Sequence, residues 1–301
     1  LRDNDCWGSR KAEGIRIERD KQANAPPSDV TAEVNRCHEN ELAGIAVVSS
    51  RAMLRDNDCW GSRETHGIWI ARDKQANAPA SDVSAEGNRC HENKQAGIVV
   101  VSSKAVLKDN DCWGSRTHSG VIIRCGEGAD ALPSVVTVER NRCYDNEEAG
   151  ILVVSSKGVL RDNECWGSRT RHGILIDNHS DTNANAPLSE VTIEVNRCHN
   201  NKQGGIGFLA SKGVADANVC WANGTDIIYR KDSPNVSVSN HRTTPDDTEK
   251  ERLAKRRKDK PLSTWLLGKA AADPSIDALA DFLTSGGCRD CLGRFWSGAP
   301  V

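Results

Sequence analysis

The tripeptide Asn-x-Cys recurs nine times, at steps that alternate between long and short, and few folds can satisfy that rhythm. The cysteines are Cys6, Cys37, Cys59, Cys90, Cys112, Cys143, Cys165, Cys198 and Cys220, spaced 31, 22, 31, 22, 31, 22, 33 and 22 residues apart. Asn4, Asn35, Asn57, Asn88, Asn110, Asn141, Asn163, Asn196 and Asn218 each stand two residues earlier. A long and a short step together make a repeat of 53 residues. Units of roughly 20 to 50 residues mark a solenoid, because no unit buries its apolar side alone and stacking supplies the core. About nine stacked coils are expected on this count.

The coils read as β rather than helical, since apolar residues alternate with polar ones over short runs and do not recur at a helical period. Five and three residues before the asparagines come Val30/Ala32, Ala52/Leu54, Val83/Ala85, Ala105/Leu107, Val136/Val138, Gly158/Leu160, Val191/Ile193 and Gly213/Ala215. These form two inward columns, and large over small alternates in the first, as interlocking at native density requires. A second strand begins at Gly14-Ile15, Gly44-Ile45, Gly67-Ile68, Gly97-Ile98, Gly120-Val121, Gly150-Ile151, Gly173-Ile174 and Gly205-Ile206. The glycine is expected to give the preceding corner its backbone freedom.

The resulting pattern, N-x-C-x-x-N-x-x-x-G-I-x-V-x-x-S, resembles the right-handed parallel β-helix repeat of pectin-lyase-like and other carbohydrate-type β-helix proteins. The resemblance covers roughly residues 1–235. It implies an all-β solenoid and leaves function open, because lyases, hydrolases, epimerases and plain recognition modules share this architecture. No catalytic motif of one enzyme family maps onto numbered residues.

The chain has 12 cysteines, and nine of them occupy one equivalent position per coil. Stacked inward thiols behave as small apolar groups, and a parallel stack does not offer disulfide geometry. Reduced thiols and a cytoplasmic, reducing compartment are the expectation. No signal peptide and no apolar run of about 18 residues is present, so no membrane segment is expected. The chain starts in mid-coil at Leu1, so an upstream domain or a second copy is expected to cover the first coil. A formal net charge of −2 argues against general polyanion binding, and nucleic acid is not an expected partner.

Two outward columns follow from the register. The residue between Asn and Cys reads Asp5, Arg36, Asp58, Arg89, Asp111, Arg142, Glu164 and Arg197. Acid and arginine alternate, which fits a charge zipper better than a row of catalytic or calcium-binding acids, since the arginines would repel a cation. The residue after each Cys reads Trp7, His38, Trp60, His91, Trp113, Tyr144, Trp166, His199 and Trp221. Within this row Trp60, His91, Trp113, Tyr144 and Trp166 are candidate binding residues, because planar rings at coil spacing suit an extended polymer. The same rings can instead stack on one another and cover the corner.

The longer coils carry inserts at 20–29, 73–82, 126–134 and 178–190. Loops on one side of a solenoid commonly form its binding surface, and tandem duplication also leaves such turns without function. His179 and Asp181 in the longest insert are the candidate polar residues there. Residues 236–261 read as a charged linker or helix, and 262–301 as a small α-helical cap or docking segment carrying Trp265, Leu266, Phe282, Phe295 and Trp296. Cys288-x-x-Cys291 could be half a zinc site or a redox pair, but no second ligand pair lies nearby. No cofactor is implied.

Two function classes remain. A non-catalytic scaffold would present a rigid surface to another protein through the insert loops or the C-terminal segment. The alternative is a carbohydrate-active enzyme of the pectin-lyase-like fold, acting on a polysaccharide. Active sites break local rules and this repeat breaks few, which favours the scaffold.

Overall fold

A computed structural model describes residues 1–20, 25–74, 78–127, 132–178, 187–225, 229–231, 233 and 235–245. Among the described residues the strands form three parallel sheets of nine strands each, and every strand pairs with those one turn away in the chain. This is a parallel β-helix, within a compact unit spanning Leu1–Thr244. Each coil gives a strand before its asparagine, such as Arg51–Arg55, to a leading sheet. It gives a three-residue strand, such as Asp58–Trp60, to a cysteine sheet and a four-residue strand, such as Ile68–Ala71, to an isoleucine sheet. The leading sheet continues past residue 235 through Val236–Ser239. The helical segment expected over 262–301 lies outside the described residues.

Equivalent positions in sequence are neighbours in space. Cys37 pairs with Cys6 and Cys59, and Cys90 with Cys59 and Cys112. The inward columns meet as one core containing Leu54, Leu107, Leu160, Ile45, Ile68, Ile98 and the buried cysteines. Burying each such Leu or Ile stabilises by about 1.5–3 kcal/mol. The alternation of Val83, Ala105, Val136, Gly158 and Val191 is steric, because a Cβ on Gly158 would lie 3.1 Å from Val136 Cγ2. Cys37, Cys59, Cys90, Cys112, Cys143, Cys165, Cys198 and Cys220 are free and buried.

Polar ladders hold the corners. The N–H and Nδ2 of Asn88 both donate to Asn110 Oδ1, at 2.9 and 3.0 Å, and Asn110 does the same to Asn141 at 2.9 Å each. Asn110 Nδ2 also donates to the Ala85 carbonyl at 2.9 Å. A serine ladder turns the next corner, with the Ser103 and Ser134 N–H groups donating to Ser134 and Ser156 Oγ at 3.3 and 3.2 Å. At the third corner the Ser62 N–H donates to Asn93 Oδ1 at 3.1 Å, and Asn93 Nδ2 to the Cys59 carbonyl at 3.1 Å. Corner backbone that no sheet can satisfy is thus paired along the stack.

Left-handed residues make the bends. The residue before each ladder asparagine has positive φ, as at Asp56 (50°), Gly87 (68°) and Asp109 (53°). The residue after each aromatic does likewise, as at Gly61 (66°) and Glu92 (53°). The glycines before the isoleucine strands serve a different purpose from the one expected of them. Gly44 does not have positive φ; a Cβ there would meet Gly67 O at 2.8 Å and Cys59 Cβ at 3.0 Å. Close approach between coils, not corner freedom, requires glycine at that position.

Candidate functional site

The aromatic row is a continuous stack. Ring centroids of Trp60 and His91 lie 5.7 Å apart, His91 and Trp113 4.3 Å, Trp113 and Tyr144 5.5 Å, and Tyr144 and Trp166 4.4 Å. The planes of these pairs are within 6° of parallel. Each ring face is covered by the next ring, so these residues offer edges, not open platforms, to a ligand. Offset stacks of this kind contribute about 0.5–1.5 kcal/mol per pair beyond burial.

The acid column beside them is less exposed than an outward row should be. Asp58, Asp111 and Glu164 are 5, 4 and 0% exposed. Asp58 accepts from Arg89 and, at 3.1 Å, from His91 Nε2. Arg142 forks onto Asp111 with Nε and Nη2 at 2.6 and 2.5 Å. His199 Nε2 lies 3.4 Å from Glu164, while Arg197 turns to Asp162 at 2.7 Å. Each of these buried acids is therefore met by an arginine, a histidine ring or both from the coil that follows. Buried charges tolerate desolvation only when paired in this way. This row is structural.

The outer face of the isoleucine sheet differs. Val99, Ile122, Leu152 and Leu175 alternate with inward core residues and so point away from the core, yet they are 2, 7, 8 and 1% exposed. They form a second apolar cluster with Ala96 and Ala149, and Trp69, Val101, Val154 and Leu209 pack against it. In the next column along this face stand Ala71, Val101, Arg124, Val154 and Asp177, in register. Arg124 closes its strand just before the third insert and Asp177 just before the fourth. Asp177 Oδ1 accepts the Asn178 N–H at 2.7 Å.

Histidines line the turn that enters this sheet. His66 Nδ1 accepts the Ala96 N–H at 3.2 Å. Burial, then the charges of His118 and Arg124, holds His66 down at about 3. Burial, then Arg171, holds His172 at about 4. Both imidazoles are neutral at pH 7. The repeat rules break along this face: a tryptophan, an arginine, an aspartate and neutral histidines replace small or aliphatic residues. Such groups can hydrogen-bond sugar hydroxyls and accept protons. Sequence reasoning passed over them because Trp69, Arg124 and Asp177 occupy strand positions that look like ordinary variation. Their common face appears only once the strands are in register.

His179 and Asp181 lie outside the described residues, as do Trp265, Leu266, Phe282, Phe295, Trp296, Cys288 and Cys291. Among the described residues no cluster of three His, Cys, Asp or Glu could hold a metal ion.

The family described as a right-handed beta helix region matches residues 2–127 and 115–243. The chain belongs to that family. A comparison with curated proteins returned no match. Among solved structures, a mutant of the periplasmic alginate epimerase AlgG is similar at 16% identity and a TM-score of 0.59, over 72% of this chain and 51% of that one. The A-module of a mannuronan C-5 epimerase from Azotobacter vinelandii is similar at 16% identity and a TM-score of 0.56, over 76% and 67%. A pectate lyase is similar at 12% identity and a TM-score of 0.52, over 76% and 64%. The chain thus spans about half the length of the alginate epimerase it resembles. At these identities the likeness establishes the fold.

These similar structures are carbohydrate-active enzymes, a finding against the non-catalytic scaffold that regularity favoured. The inference from regularity was misplaced for a physical reason. Repeat identity is demanded by the ladders, the core and the corners, and it constrains the outward positions of the isoleucine sheet far less. A functional surface can vary there without disturbing the repeat.

Proposed function

We propose that this chain is the β-helix of a carbohydrate-active enzyme, a lyase, hydrolase or epimerase, that acts on a polysaccharide at the outer face of its isoleucine sheet. The observation that supports the reading most is the departure from the repeat along that face, where Trp69, Arg124, His172 and Asp177 replace the residues of neighbouring coils. The similar solved structures, named for epimerases and a lyase, support the class. Asp177 at the edge of the fourth insert is the candidate acid or base, and Trp69 the candidate sugar contact.

The test is turnover. The full chain is incubated with alginate, polygalacturonate and a neutral glucan, with ultraviolet absorbance reporting unsaturated ends, a reducing-sugar assay reporting hydrolysis and proton NMR reporting C-5 inversion. Activity on one polymer that Asp177→Asn lowers by about a hundredfold or more is the expected result. Absence of turnover and of binding for every polymer would sink the proposal.

A further inference from the structure

The outer face of the leading sheet carries more order than a solvated surface requires. From Asp29–Glu33 to Lys212–Asp216, strands of long coils present an acid at each end, as Asp82–Glu86 does, and strands of short coils a base, as Lys104–Lys108 does. Val135 and Asp216 are the exceptions. Between the charged columns threonine or serine alternates with valine or methionine, as in Ser84, Val106, Thr137 and Val159. Met53, Val106, Val159 and Val214 on this line, with Val135 beside it, are five of the 11 large apolar side chains exposed among the described residues. Apolar groups gathered on one face mark an interaction surface. Asp29, Arg51, Asp82 and Lys104 follow one another in one charged column, all exposed, and none of them forms an ion pair among the described residues.

A two-fold axis can appose two such faces in few ways, and charge separates them. An axis along the solenoid sets each strand against its own copy, acid on acid and base on base. An axis along the strands reverses the solenoid, and if it lies on a strand it again sets like against like. Placed midway between Lys104–Lys108 and Val135–Glu139, it sets every long-coil strand against a short-coil one. Asp82 then faces Lys157, Glu86 faces Arg161 and Lys108 faces Glu139, while Val106 meets Thr137 and Val159 meets Ser84. One like pair, Glu33 with Asp216, falls at the ends. Both copies climb by the same rise, about 4.8 Å per coil, so the match does not drift along the face. Eight overlapping strands, roughly 38 by 16 Å, would bury about 1,200 Å² in total, the lower end for a specific interface.

We propose that the leading sheet is a self-association face, on which a second copy of this chain docks with its solenoid reversed. The Thr/Val line forms the centre of the contact and the charged columns its rim. An interface of this size and polarity holds weakly, in the range of tens of micromolar, so a dilute chain is monomeric with the face solvated. The proposal is independent of the polysaccharide reading and uses none of the residues of the proposed reaction face.

The experiment is sedimentation velocity on the full chain over roughly 1 to 300 μM, at low and high salt. Dimer should grow with concentration at low salt and recede at high salt. Asp82→Lys alone and Lys157→Glu alone each set like charges at two symmetry-related contacts, and each should weaken association by about tenfold or more. Mixing the two variants should restore it, because in the mixed dimer both contacts again join opposite charges. Neighbours within each sheet are unchanged by mixing, so a role confined to coil stacking predicts no recovery. Val106→Asp, on the centre line, should lose association by an independent route, and Arg63→Glu, on a turn away from this sheet, should associate as the unmodified protein does.

A chain that stays monomeric at every concentration in low salt overturns the proposal. So do single variants or Val106→Asp that associate as the unmodified protein does, and so does a mixture that fails to recover.

Discussion

The leading and isoleucine sheets climb the same stack, strand for strand, and present opposite outer faces. On the leading sheet, Glu33, Arg55, Glu86, Lys108, Glu139 and Arg161 stand in one register column. Lys108 lies 3.5 Å from Glu86, and in the parallel column Lys157 lies 3.1 Å from Glu190. Between these columns Met53, Val106, Val159 and Val214 are 36–44% exposed. On the isoleucine sheet the corresponding outward residues Val99, Ile122, Leu152 and Leu175 are 1–8% exposed. A sheet buried on both faces reads as a continuous apolar run, and a sheet with one solvated face alternates. The strands Ile98–Val101 and Lys104–Lys108 show the two cases within one coil. Charge alternation fixes a solvated face, and departures from the repeat gather on the apolar one.

The largest expected effect is common to both faces, which makes it the reference for the rest. Asn110→Ala removes the acceptor for the Asn88 N–H and Nδ2 and the donor to Ala85 and Asn141. At ~1–3 kcal/mol for each buried group left unpaired, the loss should be about 4 kcal/mol in urea unfolding. Hydrogen exchange should rise on both sheets together. Opening of one sheet alone would show that the two faces are energetically independent.

Next in size is a direct contrast. Leu175→Ala should cost about 3 kcal/mol, because it cuts a cavity into the buried outer cluster, whereas Val159→Ala at the exposed centre of the leading sheet should stay within about 0.5 kcal/mol. Equal costs at the two sites would mean that the isoleucine face is open in solution.

Acid sharpens the same contrast. Burial lowers the His172 pKa to about 4 in the fold, against about 6.5 in the unfolded chain. The unfolded state therefore binds the extra proton between these values. The stabilisation is complete above about pH 6.5 and is lost as pH falls toward 4, amounting to about 2 kcal/mol between pH 7 and 5. His172→Gln should flatten that part of the stability curve. An unchanged curve would mean that His172 is solvated.

Much of the fold was legible because one spacing repeats. Asn-x-Cys gave the coil count, the inward thiols and the cross-coil register. The ladder partners were less visible: Ser103 and Ser134 look like loop residues until the corners are stacked. The acid column was read as outward because Asp58 alternates with Cys59, but its burial depends on Arg89 and His91 from the next coil, a contact that no local pattern encodes. Candidate site residues were harder still. Trp60 and Trp113 stood out by periodicity, and periodicity marks architecture. Arg124 and Asp177 are single departures, 53 residues apart, and become one face only through the ladder pairing.

The smallest effect tests whether the leading face is held by individual ion pairs or by its pattern. Lys157 and Glu190 are 3.1 Å apart with side chains 53 and 63% exposed, so water and salt screen most of their attraction. Lys157→Ala should cost about 0.3 kcal/mol, and less at high salt. Lys157→Glu places a second acid beside Glu190, between it and Val135 in the column, and should cost more than the alanine, because repulsion across adjacent strands is added to the lost pair. If the reversal is no worse than the truncation at low salt, the alternation on this face is a residue of duplication and carries no register information. If it is worse at low salt and the two converge at high salt, the alternation acts electrostatically. The solvated face then specifies how coils stack, leaving the apolar face free to vary.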